Sequence, residues 1–449
     1  MFAHNNRVKR IRERKRGTLI MRTLKAGIAL TTSGWKENLT VTIGEDGRIA
    51  TIDERAGAGT GSAPSDGRGE IRHVDLLLPA PVNLHSHAFQ RAMAGLTERR
   101  GPDPRDSFWT WRQLMYRFLD HLDPGHVEAI AAFVQMEMLE AGYGCNTEFH
   151  YLHHQPDGRP YDRLAETAGR IAAAAELSGA GLTLMPVLYR HGGCDRRPLG
   201  AGQIRFGNNP DRYAKLVEDT RSVLGSLPAD TRLGVAPHSL RAVTVEDIFF
   251  ASKLVPDGPV HMHFVEQTAE VTEIEMTFGQ RPVPYLLENI NIDDRWCLVH
   301  CTQLRPRETP HASHGPVRWP ALCPITESSL GDGIFDGVRW LEEDGLFGIG
   351  SDPISASRWP RNFARLNTRS ACIPARVRPS RPVAARPDAD CSRMPPSVVP
   401  APPAEVRDAS RSDNGPISRS RHEPCRPRGP NRRYAARRLR LLRRQQHGE

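Results

Sequence analysis

No apolar run in the 449 residues approaches the roughly 20 needed to cross a bilayer, so no helical membrane span is expected. The basic N-terminus also lacks the apolar core of a signal peptide. Cysteine is thinly spread: eight residues, at 145, 194, 297, 301, 323, 372, 391 and 425, with no CxxC pair. A disulfide framework is not expected in a chain of this size, so a reducing cytoplasm is the default setting. Apolar residues reach only 39%, below the ~45–50% of globular chains, and the shortfall is local. Lysine is absent from residues 353–449, which instead hold 22 Arg and 15 Pro against 7 acids, a net of +15. Residues 1–20 carry a net of +6, so within a total of +9 the stretch 21–352 stands at −12. The body is acidic and the basicity belongs to the ends. A nucleic-acid-binding protein is therefore a weak alternative, because basic ends without aromatic interleaving or a recognition motif carry little specificity.

What is present is an ordered alternation. Residues 21–73 read as short β-type runs separated by turn signals such as Glu45-Asp46-Gly47, part of a small β-domain. Residues 74–352 then alternate strand-like runs with amphipathic helical stretches. Eight runs are legible, at 74–84, 144–151, 182–189, 232–238, 259–266, 296–300, 321–324 and 346–352. Strands alternating with helices predict an α/β protein with a parallel sheet, and eight strands match a (β/α)8 TIM-type barrel. Residues 305–320, with prolines at 306, 310, 316 and 320, are expected to form no ordinary helix. Residues 1–20 read as a disordered basic arm or extraneous upstream sequence. Residues 353–449 read as a disordered or frame-shifted tail that leaves the β-domain incomplete, and an inactive fragment is a corresponding alternative.

Candidate chemistry gathers at the ends of the runs. His85 and His87 close the first and face one way, because side chains alternate along a strand. His263 lies in the fifth, His300 ends the sixth, Asp352 ends the eighth, His238 closes the fourth, and Glu266 follows His263 by three residues. In a parallel barrel these ends converge on one face. Singly, each residue reads as a loop cap or a helix N-cap; together they suit a cation held by imidazole and carboxylate, with Zn2+ preferred and Fe2+ or Mn2+ open. His261 is expected to pack deeper in the barrel, and His150, His153 and His154 to serve loop structure. Arg112, within WTWRQLMYRF, reads on its own as a surface ion-pair residue.

The strings NLHSHAFQRAMAGLTE, SFWTWRQLMYRF, EFHYLHHQPDGRPY, GVAPHSLRAV, RWCLVHCTQL, LCPITESSLGDGIF and FGIGSD resemble the amidohydrolase superfamily from about Met21 to Asp352. HxH marks the superfamily alone; the longer strings are much more specific. The resemblance implies that His85, His87, His263 and Asp352 bind one zinc, that Glu266 shuttles a proton, and that His300 steadies the attacking hydroxide, with Asp352 also accepting a proton. It further implies Gln90, Arg112, Tyr151, His238 and Arg241 around a small dicarboxylate amidine, the reaction being hydrolysis of N-formimidoyl-L-glutamate to N-formyl-L-glutamate and ammonia in histidine degradation. The expected partners are that substrate and a second copy of the chain in a homodimer, with no nucleic acid and no membrane. The nearest alternative is a superfamily deaminase acting on a nucleobase or triazine ring.

Overall fold

The computed structural model describes residues 22–54, 70–96, 108–313 and 320–352. The expectations for residues 1–20 and 353–449 lie outside these. Among the described residues, no helix is long and apolar enough to cross a membrane.

The chain opens with a four-stranded sheet. β1 (Arg22–Thr31) pairs antiparallel with β2 (Gly34–Ile43), which pairs with β3 (Ile49–Asp53). β4 (Glu70–Leu77) adds in parallel to the other side of β1. Ala26, Ala29, Leu39 and Val41 form its small core. The single run expected at 74–84 is thus two strands. Its first residues complete this sheet, and the barrel begins only after Pro81. The break follows from Pro79 and Pro81, which cannot donate to a ladder.

The eight barrel positions are β5 (Val82–Ser86), β6 (Cys145–His150), β7 (Gly181–Leu188), the interrupted pair β8 (Arg232–Leu233) and β9 (Ala236–Pro237), β10 (Val260–Phe264), β11 (Trp296–His300), β12 (Ala321–Leu322) and β13 (Gly348–Ile349). Their ladders are parallel throughout. Each falls within or beside one of the expected runs. The two halves join where Val235 N donates to Pro259 O at 3.0 Å and His263 N to His238 O at 2.9 Å. On the other side Asp352 N donates to His85 O at 3.0 Å.

The intervening helices follow from capping as well as periodicity. Asp123 caps α2 (Pro124–Glu140), accepting from His126 N at 2.8 Å, with Pro124 supplying a helical φ at the first position. (α1 is Phe108–Leu119.) α3 (Glu166–Ser178) ends at Gly179, whose φ of 80° is the left-handed turn that glycine adopts without strain. Among the described residues of 305–320 there is one short helix, Thr309–Ser313, of five residues. That is a single turn, with Pro310 in the opening positions where a missing N–H costs nothing.

One irregularity bears on the site. Asn83 pairs with Asn146 and Ser86 with Glu148, so β5 carries one residue more than β6 between the two registers. Such a bulge re-aims side chains. Leu84 packs against Cys297, Val299, Ala321 and Cys323. Cys297 and Val299 pair in register with His261 and His263, so this packing lies on the interior side of the strands. Because of the extra residue His85 also turns inward, its ring 4.9 Å from that of His263.

Candidate active site

His85 and His87 stand at the end of β5, His263 near the end of β10, His300 at the end of β11, and Asp352 just past β13. All five are buried, with exposures between 0% and 8%. His85 Nε2 and His87 Nε2 are 3.0 Å apart, and His87 Nε2 and His263 Nε2 are 3.3 Å apart. His87 Nε2 lies 3.7 Å from Asp352 Oδ1. The donor atoms of His85, His87 and His263 all fall within 4.8 Å of one another, as do those of His85, His300 and Asp352.

These separations fit a cation. A tetrahedral ion with bonds of ~2.0–2.1 Å places its ligand atoms about 3.3–3.4 Å apart. His87 Nδ1 lies 2.9 Å from Phe149 O, a carbonyl that can only accept, so the ring proton sits there and Nε2 presents a bare lone pair toward its neighbours. Burial, reinforced by the neighbouring imidazoles, holds His85 and His263 well below the usual histidine range. Burial takes His87 down to about 3. Three imidazoles kept neutral by burial, with their Nε2 atoms gathered at one point, suit a ligand set. Burial also raises Asp352 to about 7, with His300 opposing.

His300 is the exception. Burial alone would lower it, but Glu266, Glu327 and Asp352 together raise it to about 10. Its Nε2 lies 3.6 Å from Glu266 Oε1 and 3.9 Å from Asp352 Oδ2. Several of these side chains are aimed by unusual backbone. Val265 (φ 45°), His300 (φ 73°), Cys301 (φ 54°) and Asp352 (φ 48°) all occupy the left-handed region. A β-branched residue there is a real outlier, and such strain costs roughly 1–3 kcal/mol per residue and concentrates at functional sites.

The cluster opens into a cavity whose walls include Gln90, Arg112, Tyr116, Tyr151, Tyr189, His238, Arg241 and Glu266. Every expected substrate-binding residue therefore lines one space. Arg112 is half-buried and lines the cavity, where its Nη2 donates to Tyr189 Oη at 3.0 Å and its Nε donates to Tyr116 Oη. Arg241 is 6% exposed, with Nε 3.8 Å from Glu270 Oε1. Burial opposes its charge, and the Glu270 carboxylate more than restores it.

The sequence pattern of the amidohydrolase family matches residues 76–378. The chain belongs to the amidohydrolase family. That match runs on past Asp352, where the sequence reading ends the resemblance. This amidohydrolase is 44% identical over 359 residues to the formimidoylglutamate deiminase of Pseudomonas aeruginosa, covering 78% of this chain and 76% of that one. It is 24% identical over 330 residues to a 5'-deoxyadenosine deaminase of Methanopyrus kandleri, covering 73% and 68%. The crystal structure of an amidohydrolase from Brucella melitensis superposes with a TM-score of 0.72 at 42% identity, covering 78% of this chain and 75% of that one. An adenosine deaminase from Xanthomonas campestris with bound zinc shares the fold, with a TM-score of 0.60 at 20% identity over 78% and 74% of the two chains.

Other histidines of the amidohydrolase are structural, as their sequence positions suggested. His150 Nε2 meets Thr167 Oγ1 at 3.0 Å, and His153 and His154 turn Nε2 to the carbonyls of Val187 and Gly207 at 3.0 and 2.9 Å. His261 stays outside both donor clusters. Two site residues escape sequence reasoning. Glu327, in the helix Pro324–Leu330, accepts from Cys323 N at 2.8 Å and faces His300 Nδ1 at 3.4 Å. Tyr189 receives both Arg112 and Gln203 Nε2, the latter at 2.9 Å. Glu327 reads in sequence as an acid in the first turn of a helix, and only its neighbour across the barrel mouth distinguishes it.

Proposed function

We propose that this amidohydrolase hydrolyses N-formimidoyl-L-glutamate to N-formyl-L-glutamate and ammonia, as a cytoplasmic step of histidine degradation. One observation carries the reading: two guanidiniums, Arg112 and Arg241, share a cavity with the imidazole–carboxylate cluster. A guanidinium's planar fork of N–H donors matches a carboxylate, so a ligand with two carboxylates fits a cavity that carries two guanidiniums. The 44% identity to a formimidoylglutamate deiminase supports the same substrate.

His85, His87, His263 and Asp352 would hold the cation, with Zn2+ the best match to three nitrogens and one carboxylate. When bound, zinc supplies a water acidified to a pKa near ~7. The residues of the chain do the rest. Arg112 and Arg241 bind the two carboxylates, while Gln90, Tyr151 and His238 line the amidine end. Oxygen from water bonds to the amidine carbon, the bond to the terminal nitrogen breaks, and both water hydrogens leave with the ammonia. Glu266 carries one proton from the water to the departing nitrogen. Asp352 accepts the second as the formyl carbonyl forms and gives it up to the departing nitrogen, which leaves as ammonia. His300, held charged between carboxylates, steadies the attacking oxygen through Nε2.

The aromatic walls (Trp111, Tyr116, Tyr151, Tyr189 and Phe206) favour a ring substrate as the second reading. Three of these are tyrosines, and two of the three accept hydrogen bonds from Arg112, so this part of the wall serves the cationic subsite. Ammonia release decides between the readings. Turnover is expected with formimidoylglutamate and not with guanine or adenosine, and the reverse ranking would overturn the assignment. A chelator is expected to abolish activity and added Zn2+ to restore it.

A further inference from the structure

The first and last barrel strands carry ligand residues 265 or more positions apart in sequence, yet β5 and β13 share no strand ladder; they fall in separate sheets. Past the strand ends one backbone bond, Asp352 N to His85 O at 3.0 Å, joins them, and side chains supply the remaining links. Ser351 N donates to Asn83 Oδ1 at 2.7 Å, and Asn83 Nδ2 returns a bond to Ser351 Oγ at 2.8 Å. The second hydrogen of the same amide goes to Asn146 Oδ1 at 3.1 Å. Asn146 Nδ2 donates to Glu148 Oε2 at 3.3 Å, and Glu148 Oε1 accepts from Ala88 N at 2.7 Å. Asn83, Asn146, Glu148 and Ser351 are between 0% and 2% exposed, under the sulfur of Met138 on α2. The chain of bonds therefore begins at the residue before Asp352 and ends at the residue after His87.

We propose that Asn83, with Asn146 and Glu148, forms a clasp that closes the barrel between β5 and β13 and sets the spacing of His85 and His87 against Asp352. Asn83 is a positioning residue: it touches no ligand atom and acts through the backbone that bears them. This rests on the reading that these three residues bind the cation. Asparagine suits the place because one side chain offers an acceptor and two donors, and all three are used. A half-satisfied buried network costs more than an apolar one, so losing Asn83 strands Ser351 N and Asn146 Oδ1 together.

The test is the dissociation constant of Zn2+ for the full chain, measured by competition with a chromophoric chelator, in wild type and in Asn83→Ala, Ser351→Ala and Tyr213→Phe. Tyr213→Phe removes an equally buried hydrogen bond, Tyr213 Oη to Pro186 O at 2.8 Å, away from the clasp. Asn83→Ala is expected to weaken zinc by about 10-fold or more, the usual range for groups that orient metal ligands. Ser351→Ala, which keeps the backbone bond to Asn83, is expected to weaken it about threefold. Tyr213→Phe is expected to lower the melting temperature and leave zinc affinity within about twofold. The proposal is overturned if Asn83→Ala binds zinc as wild type does, or if Tyr213→Phe weakens zinc as much as Asn83→Ala. Where Asn83→Ala does not fold, Ser351→Ala decides by the same comparison. A wild-type chain that binds no stoichiometric zinc overturns the ligand assignment itself, and this inference with it.

Discussion

Glu266 is the residue on which the proposed chemistry turns. Its carboxylate faces His300 Nε2 at 3.6 Å, and its own backbone N–H donates to Glu270 Oε2 at 3.1 Å. The left-handed Val265 immediately before it redirects the chain so that this side chain leaves the strand and enters the cavity. Glu266→Gln keeps the shape and removes the proton carrier. Activity on formimidoylglutamate is expected to fall by about 10²–10⁴-fold while zinc content and melting temperature stay near wild type. A variant within threefold of wild-type kcat would assign the proton transfer elsewhere. At this scale the sequence was informative where a residue closed a strand. His85, His87, His238, His300 and Asp352 are legible because strand ends in a parallel barrel share one mouth. Arg112 and Glu327 are not, since a helix position alone does not say what faces it, and Tyr189, just past β7, carries no imidazole or carboxylate to mark it.

Among elements, the fourth barrel position shows how tightly the wall is built. β8 and β9 are interrupted at Gly234, whose N–H donates to Leu184 O at 3.0 Å. A Cβ there would stand 2.2 Å from Met185 Sδ and 2.6 Å from Pro259 O, distances no relaxed contact reaches. Methionine can move aside; the Pro259 carbonyl, which accepts from Val235 N across the seam between the two half-barrels, cannot. Gly234→Ala is expected to destabilise by about 1–3 kcal/mol, read from the denaturant midpoint at unchanged slope. An unshifted midpoint would mean that β9 and β10 can separate without cost. The strands were legible to within a few residues because their apolar runs are bounded by turn residues and helical patterns. The split of 74–84 was not read, although Pro79 and Pro81 carried the signal. The bulge at Asn83–Ser86 has no sequence signature at all, since the extra residue is defined only against β6.

For the whole molecule, the buried histidines outside the site set the response to acid. Burial takes His150 down to about 4 and holds His153 well below its ordinary range. Each is neutral in the folded state and takes a proton on unfolding below the usual histidine value of ~6.5. Their contribution to stability is complete above that value. It is lost progressively as the pH falls toward 4, because the unfolded chain binds the protons that the folded one refuses. His150 alone accounts for on the order of 3 kcal/mol across that window. The unfolding midpoint is expected to drop steeply between pH 6.5 and 4, and His150→Gln to flatten the drop. A midpoint that is level over this range would show the histidines to be solvated.

The sequence by itself determined the alternation of strands and helices, the count of eight, and which strand ends carry imidazole or carboxylate. These are local properties, written in periodicity and in the residues that stop each run. Tertiary structure decided which of those residues meet, that Arg112 turns inward, that Glu327 stands behind His300, and that Asn83 ties the first strand to the last. Each depends on a partner far away in the chain, and the closing of the barrel is what brings the pair within bonding distance.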